Sequence, residues 1–175
     1  MSKIMLIAND TTYTYNLRRE LILNMVEKYK DVVIVCKELS LKDELLGLGC
    51  HFINVDNGRH GTNPFSDLLL LINYIRILKK ERPDVVLTFN IKPDIYGGMS
   101  CKWLGIPYIT NVTGLGMALE HSGLLRKITI PLYKYALSSA KCIFFQNIGN
   151  KKFFYDSGII NDNFKILPGS GVNLE

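Results

Sequence analysis

The side chains best suited to chemistry in this 175-residue chain fall in five short stretches: Asn9 to Asn16, Arg59 to Asn63, Thr88 to Lys92, Asn111 to Gly116, and Gln146-Asn147. They are rich in amides, hydroxyls and glycines and poor in acids and bases. In the first stretch Asn9, Asp10, Thr11, Thr12, Tyr13, Thr14, Tyr15 and Asn16 offer donors, acceptors and aromatic faces, which suits a sugar or another polyol. Asp10 is the only carboxylate there, and the next nearest is Asp94, at the start of a predicted helix. No carboxylate pair at hydrolytic spacing can be named, and no Ser/His/Asp or Cys/His constellation stands out. Neither Asp-x-Asp nor His-x-x-x-His is present to hold a metal. The sequence therefore names no catalytic residue and no metal ligand.

A second group follows a later strand. In Asn111-Val112-Thr113-Gly114-Leu115-Gly116, the glycines would let backbone N–H groups approach a ligand closely. A plain strand-to-helix turn explains the same residues. Arg59 and Lys92 could pair with a pyrophosphate, while Asn63 and Asn90 are neutral rim candidates. His60 and His121 fall in predicted loops, where they could act as general bases or simply be solvated. His51 falls in a strand and reads as structural.

These residues need a scaffold that brings them to one edge, and the apolar pattern supplies it. Short, nearly continuous β-branched runs alternate with amphipathic segments, as in a parallel sheet covered on both faces. The predicted strands are Ile4 to Ala8, Val32 to Cys36, His51 to Val55, Asp84 to Phe89, Tyr108 to Val112, Cys142 to Gln146 and Phe164 to Leu167. After the first strand the polar turn Asn9 to Asn16 leads into a helix that begins near Leu17 and, on apolar spacing, covers about Tyr15 to Lys28. Its inner face is read as Leu17, Leu21, Met25 and Val26. Further helices are expected over Lys42 to Leu48, stopped at Gly49, over Pro64 to about Lys80, and over Asp94 to Leu104. Two more follow, near Leu124 to Ser138 and Asn150 to Tyr155. The fold class is α/β: a doubly wound, Rossmann-like parallel sheet of about seven strands with helices on both faces. In such a sheet the carboxyl ends of the strands form the ligand crevice.

Composition narrows the function. With 47% apolar and 21% charged residues the chain is ordinary globular material, and a net charge of +5 spread along helices lacks the dense stripe of a nucleic-acid binder. Cys36, Cys50, Cys101 and Cys142 each sit in or beside an apolar run, far apart, and read as reduced core residues. No apolar run reaches the roughly 18 residues of a spanning helix. Residues 123–135 mix apolar, aromatic and basic side chains, a pattern shared by interfacial helices and by helices packed on a sheet. The first turn lacks both Gly-x-Gly-x-x-Gly and a Walker lysine, which disfavours a dehydrogenase or a triphosphate cradle.

Taken in order, Ala8 to Arg18, Arg59 to Pro64, Pro83 to Thr88, Lys92-Pro93, Thr113-Gly114-Leu115-Gly116, Phe145-Gln146-Asn147 and Pro168-Gly169-Ser170-Gly171-Val172-Asn173 resemble the amino-terminal half of bacterial family 4 glycosyltransferases. The likeness extends over the whole chain. It points to the branch that builds capsule, O-antigen and lipid-linked oligosaccharides. The resemblance implies a GT-B enzyme, with two Rossmann-like domains facing across a cleft. Such an enzyme transfers a sugar from a nucleotide donor, UDP-linked here by expectation, with retention and without a required metal. The first domain would hold the acceptor, a glycan or polyprenyl-diphosphate-linked sugar at the cytoplasmic face of the membrane.

On that likeness residues 1–167 are the amino-terminal domain and 168–175 the start of an interdomain linker, and the carboxyl-terminal donor domain lies outside this chain. No cofactor is expected, and the fragment alone is expected to be inactive. Asn9, Asp10, Thr11, Tyr13, Tyr15 and Asn16 carry over as acceptor and cleft contacts, and Arg59 and Lys92 as contacts to anionic groups. Thr113, Gly114, Leu115 and Gly116 would form the cleft floor beneath the transferred sugar. Many relatives have Gly-Gly in the first turn, where this chain has Asn9-Asp10-Thr11-Thr12. Two alternatives remain: a stand-alone flavodoxin-like module for a small phosphorylated ligand, and the acceptor subunit of a split transferase.

Overall fold

The computed structural model describes residues 2–56, 63–116, 119 and 123–169. Its strands are β1 (Lys3–Asp10), β2 (Asp31–Lys37), β3 (His51–Asn54), β4 (Val85–Phe89), β5 (Tyr108–Val112), β6 (Cys142–Phe145) and β7 (Phe164–Ile166). They form one sheet in the order β3-β2-β1-β4-β5-β6-β7, with every pair parallel. The chain first builds outward from β1 to β3, then returns and starts again at β4 on the other side of β1. That reversal leaves a crevice between the carboxyl ends of β1 and β4.

The helices are α1 (Thr11–Lys28), α2 (Lys42–Leu46), α3 (Pro64–Glu81), α4 (Gly98–Leu104), α5 (Leu124–Leu137) and α6 (Ile148–Asp156), with a π-helical turn, Pro93–Gly97, leading into α4. They divide between the two faces. On one face Ile22, Met25 and Leu45 of α1 and α2 pack against Ile4, Leu6 and Ile34. Opposite them Leu70, Tyr74 and Leu78 of α3, Tyr133 of α5 and Phe154 of α6 pack against Met5, Ile7, Val86 and Phe145. Edge-to-face contacts join Tyr133 to Phe154 at 5.0 Å and Phe145 to Phe154 at 5.3 Å, which adds directional preference to apolar burial. The cysteines are all free, with Cys36, Cys50 and Cys101 buried. Burial pushes the Cys36 and Cys101 thiols up to about 12, so they are inert apolar fillers.

Three details differ from the expectation. The helix after β1 begins at Thr11, so there is no polar turn over Asn9 to Asn16. The cause is Asp10, the last residue of β1, whose Oδ1 accepts from the Tyr13 N–H at 2.9 Å and caps the first helical turn. The inner face of α1 is Thr11, Thr14, Arg18, Ile22 and Met25, while Leu17 and Leu21 are 47% and 37% exposed. Thr11 bonds the chain after β2, Thr14 Oγ1 donates to the Asp10 carbonyl at the end of β1 and Arg18 stacks on Phe89, so these three lie inward and the leucines face outward. Lastly, the segment expected as a helix from Asp94 opens as the π turn, one residue per turn wider than an α-helix. Elsewhere element boundaries agree to within a few residues, and Gly49 has the left-handed φ of +90°.

Candidate functional site

A cleft of about 400 Å³ opens at the switch point and is lined by Ala8, Asn9, Tyr13, Thr14, Leu17, Arg18, Phe89, Asn90, Thr113 and Gln146. Sheet register explains this gathering. Ile7 pairs with Thr88, Thr88 with Thr110 and Thr110 with Ile143, so β1, β4, β5 and β6 end near one level. Between the pairs Ile7↔Val35 and Asp10↔Lys37, β1 takes one more step than β2. The resulting bulge lets the consecutive residues Ala8 and Asn9 both border the cleft, where regular alternation would send one to each face.

The far wall is held by a second backbone device. Asn90 has a left-handed φ of 77°, a conformation that asparagine tolerates better than most residues. It turns the chain out of β4, and its Nδ2 donates to Thr113 Oγ1 at 3.2 Å. Beneath the floor, Thr88 Oγ1 donates to Thr110 Oγ1 at 3.1 Å in full burial, tying β4 to β5.

Seven residues of the stretches singled out by sequence therefore meet in one place: Asn9, Tyr13, Thr14, Phe89, Asn90, Thr113 and Gln146. Tyr13 is 52% exposed and overhangs the opening. Asp10 and Thr11 lie beneath the cleft and are fully buried. Asp10 caps α1, and Thr11 bridges to the chain after β2: its Oγ1 donates to the Ser40 carbonyl at 2.7 Å and accepts from the Leu39 N–H at 3.0 Å. Tyr15 is half-buried against the α1 and α2 core, and Asn16 is exposed. Asn63 caps α3, its Oδ1 accepting from the Phe65 N–H at 3.0 Å. Gly114, Leu115 and Gly116 follow Thr113 as partly exposed loop residues, and Leu115 packs against the larger core. Gly116 has φ +62° and lies so close to Ile91 that a Cβ would collide with Ile91 Cδ1. Arg59, His60, His121 and residues 170–175 lie outside the described residues.

Lys92 leaves the cleft for a neighbouring cluster. Its Nζ lies 2.9 Å from Asp67 Oδ1 of α3, and Asp67 Oδ2 accepts from Tyr96 Oη at 2.9 Å. Burial, with Asp67 as a further cause, pushes the Tyr96 hydroxyl up, so it stays protonated as a donor. Deeper still, Asp94 is 1% exposed and its carboxyl is held well above the carboxylate range by desolvation. The buried hydroxyls of Tyr74 and Tyr133 are pushed upward mainly by burial and partly by Asp94, which places the three groups in one neighbourhood.

Sequence reasoning passed over Arg18 and Leu17 as site residues. Arg18 Cζ stacks 4.7 Å above the centre of the Phe89 ring, and desolvation lowers the guanidinium pKa. The available signal was spacing: Thr11, Thr14, Arg18, Ile22 and Met25 recur every three or four residues, so the stripe that holds Ile22 and Met25 also carries an arginine inward. Among the described residues, no group of three or more histidine, cysteine or acidic side chains could hold a metal ion. None of their helices is long and apolar enough to cross a membrane.

This geometry can be set beside known proteins. The chain is 25% identical over 166 residues to the Campylobacter jejuni N,N'-diacetylbacillosaminyl-diphospho-undecaprenol alpha-1,3-N-acetylgalactosaminyltransferase, a match covering 92% of this chain and 44% of that protein. It is 28% identical over 113 residues to the Escherichia coli UDP-Gal:alpha-D-GlcNAc-diphosphoundecaprenol alpha-1,3-galactosyltransferase, covering 64% of this chain and 28% of that one. The chain thus spans less than half the length of these curated relatives. Among solved structures, Acinetobacter baumannii MurG superposes with a TM-score of 0.61 at 15% identity, over 99% of this chain and 47% of that one. Anabaena HepE in complex with UDP and glucose superposes with a TM-score of 0.69 at 12% identity, over 95% and 44%. Those two likenesses establish the fold alone, a doubly wound Rossmann-like domain. Residues 3–147 match the family described as glycosyl transferase 4-like, and with that match over most of its length the chain belongs to this family.

Proposed function

We propose that this chain is the acceptor-binding half of a retaining glycosyltransferase that moves a sugar from a nucleotide-sugar donor to a glycan or polyprenyl-diphosphate-linked acceptor in surface polysaccharide synthesis. The observation that carries the reading is the switch-point cleft. Its lining of amides, hydroxyls and an aromatic edge suits the ring hydroxyls and acetamido groups of a sugar, and among the described residues that line it there is no carboxylate to act as acid or base. Family membership and the relatives named for undecaprenyl-diphosphate-linked acceptors support the same direction.

In this reading residues 1–167 form the acceptor domain, 168–175 begin a linker, and a second domain of the full gene product binds the nucleotide sugar. Asn9, Tyr13, Asn90 and Thr113 contact the acceptor, and Gly114 to Gly116 lie beneath the transferred sugar. Transfer with retention draws on groups around the leaving diphosphate, which this reading places in the second domain.

A lipid-linked acceptor requires the cleft to approach a membrane. The amino-terminal turns of α3 and α5 support that approach, because they expose Phe65, Leu68, Leu69, Leu124 and Ile128 beside Arg126 and Lys127. Helices that follow strands of a parallel sheet begin at the carboxyl edge, so these apolar turns lie at the cleft's end of the domain. Peripheral contact at the cytoplasmic face follows as part of the proposal.

Calorimetric titration of the 175-residue chain with UDP and with UDP-N-acetylhexosamine tests the division of labour. No detectable heat is expected. Saturable tight binding would overturn the assignment of donor and acceptor halves and favour a self-sufficient nucleotide-binding module.

A further inference from the structure

We propose that Asn90 and Thr113 form a pair that reads one hydroxyl of the bound sugar, Asn90 Oδ1 accepting a hydrogen bond from it and the Thr113 hydroxyl donating one to its oxygen. The inference rests on the reading of the switch-point cleft as an acceptor site. To that reading it adds a rule for which sugars the site admits.

Asn90 stands directly before a helical segment, as Asp10, Asn63 and Asn147 do. A side-chain oxygen at such a position ordinarily accepts from a backbone N–H of the first turn. Asp10 accepts from Tyr13, Asn63 from Phe65 and Asn147 from Asn150, at 2.9, 3.0 and 2.7 Å. These three residues have φ of −155°, −79° and −153°, whereas Asn90 has φ +77° and caps nothing among the described residues. Its amide lines the cleft instead, and the one hydrogen bond of that side chain among the described residues runs from Nδ2 to Thr113 Oγ1. Glycine would meet the same backbone requirement with less strain, so what asparagine adds is the amide itself. A non-glycine residue held in the left-handed region on a cleft wall is a recurrent mark of a functional site.

The bond to Thr113 fixes the polarity of both groups. With Nδ2 turned to Thr113, the amide presents Oδ1 as an acceptor. With one lone pair of Oγ1 taken by Asn90, Thr113 keeps its proton to donate. An acceptor and a donor held side by side match a hydroxyl, which gives one hydrogen bond and takes another. A diphosphate has no proton to offer Oδ1, and an ammonium has no lone pair for Thr113. The two groups follow adjacent strands, β4 and β5, whose separation is set beneath them by the bond from Thr88 Oγ1 to Thr110 Oγ1. A sugar lacking that hydroxyl would leave both groups covered and unpaired, and sites built this way discriminate more sharply than apolar contacts do.

The test titrates the 175-residue chain, followed by NMR, with two probes. One is N-acetylglucosaminyl diphosphate carrying a short prenyl chain, the other UDP-N-acetylglucosamine, each with its monodeoxy analogues. Loss of one particular hydroxyl should weaken the prenyl-linked sugar by about tenfold or more. Asn90→Gly keeps the left-handed backbone and Thr113→Val keeps the shape, and in both that penalty should shrink to within about threefold, the penalties for the other hydroxyls staying as they were. Thr113→Ser should restore it. A general packing defect would weaken every analogue alike and leave the preference standing. In the unaltered chain the Asn90 side-chain amide resonances should move with the parent sugar and stay in place with the one deoxy analogue. An unselective parent chain, or a penalty as large in both variants as in the parent, overturns the pair. The two readings fail separately. Pair-dependent selectivity among the UDP sugars alone removes the acceptor-half assignment and keeps the pair, whereas selective prenyl-sugar binding that ignores Asn90 and Thr113 removes the pair and keeps the acceptor half. Saturable binding of neither probe overturns both.

Discussion

Lys92 Nζ and Asp67 Oδ1 stand 2.9 Å apart, joining the end of β4 to the first turns of α3, with both side chains about four-fifths buried. The same carboxylate accepts from Tyr96 Oη, so one acid fastens the chain on both sides of Pro93. Partial burial raises the value of such a pair above that of an exposed one, although desolvation offsets part of the gain. Lys92→Met and Asp67→Asn are each expected to cost about 1–2 kcal/mol in urea denaturation. The double variant should lose less than the sum, since its two sites share one interaction. Additive losses would show that the contact contributes nothing of its own.

Asp94 sets a pH dependence. Its folded-state pKa is raised well above 3.8 by desolvation, with Thr88 acting weakly in the other direction. The unfolded chain therefore releases this proton at lower pH than the folded one. Between the unfolded and folded pKa values the unfolded state binds fewer protons, and stability falls as pH rises through that window. Asp94→Asn removes the titration and should stabilise the chain at pH 8 by at least about 1 kcal/mol relative to its effect at pH 4. Urea midpoints at the two pH values read the difference, and a parallel offset at both would contradict it.

Thr11 Oγ1 serves the Ser40 carbonyl and the Leu39 N–H at once, without exposure to solvent. Replacing it with valine keeps the shape and strands the Leu39 N–H, while the Ser40 carbonyl keeps only the longer bond from Thr12 Oγ1 at 3.2 Å. Thr11→Val should cost about 2–3 kcal/mol, while Thr11→Ser should cost less. Faster amide exchange at Leu39 in the valine variant would locate the loss.

The two glycines after β5 should respond differently. At Gly116 a methyl group meets Ile91 and the left-handed φ is unfavourable to a side chain, whereas nothing lies within 4 Å of a Cβ at Gly114. Gly116→Ala is expected to destabilise by about 1–2 kcal/mol, and Gly114→Ala to stay within about 0.5 kcal/mol of the parent. If Gly114 matters for ligand approach, its alanine variant will instead weaken acceptor binding with an unchanged melting temperature.

Leu124 and Ile128 are 74% and 51% exposed on the first turns of α5, beside Arg126 and Lys127. Co-sedimentation with phosphatidylglycerol vesicles should be strong at low salt and weaker with neutral phosphatidylcholine. Leu124→Ser with Ile128→Ser should reduce binding to both by removing the apolar contribution, about tenfold or more. Unchanged sedimentation would place the membrane contact elsewhere.

The sheet was legible in the sequence because buried parallel strands are short, β-branched-rich runs, as in Val32 to Cys36 and in Tyr108 to Val112, which follows Gly105 and Pro107. The start of α1 was hidden by tertiary context. Asp10 ends a strand and caps a helix in one residue, so no spacer marks the boundary. Leu17 and Leu21 suggested an inward face by hydrophobicity alone, but the top of the sheet supplies polar partners for Thr11 and Thr14, and those threonines set the rotation of the helix. Asn9, Asn90 and Thr113 were found because strand ends point to one edge. Arg18 was missed because an arginine in a helix ordinarily reads as solvated, and its burial depends on Phe89, a residue distant in sequence. The pairing of Lys92 with Asp67 was equally invisible, since it needs the crossing of α3 over the turn after β4.

The π turn at Pro93–Gly97 works as a one-residue insertion that the fold cannot discard. Closing it to an α-helical turn by deleting a residue would rotate everything downstream by about 100°. Ser100 and Cys101, both fully buried, would swing off the core, and Gly98, which now nests against Tyr108 and Ala136, would surrender its place to a larger neighbour. Substitutions along α4 can be absorbed one at a time, but a change in length there is a change of phase. The spacing between the cleft residue Asn90 and the core residue Cys101 is therefore as much a part of the site as any side chain in it.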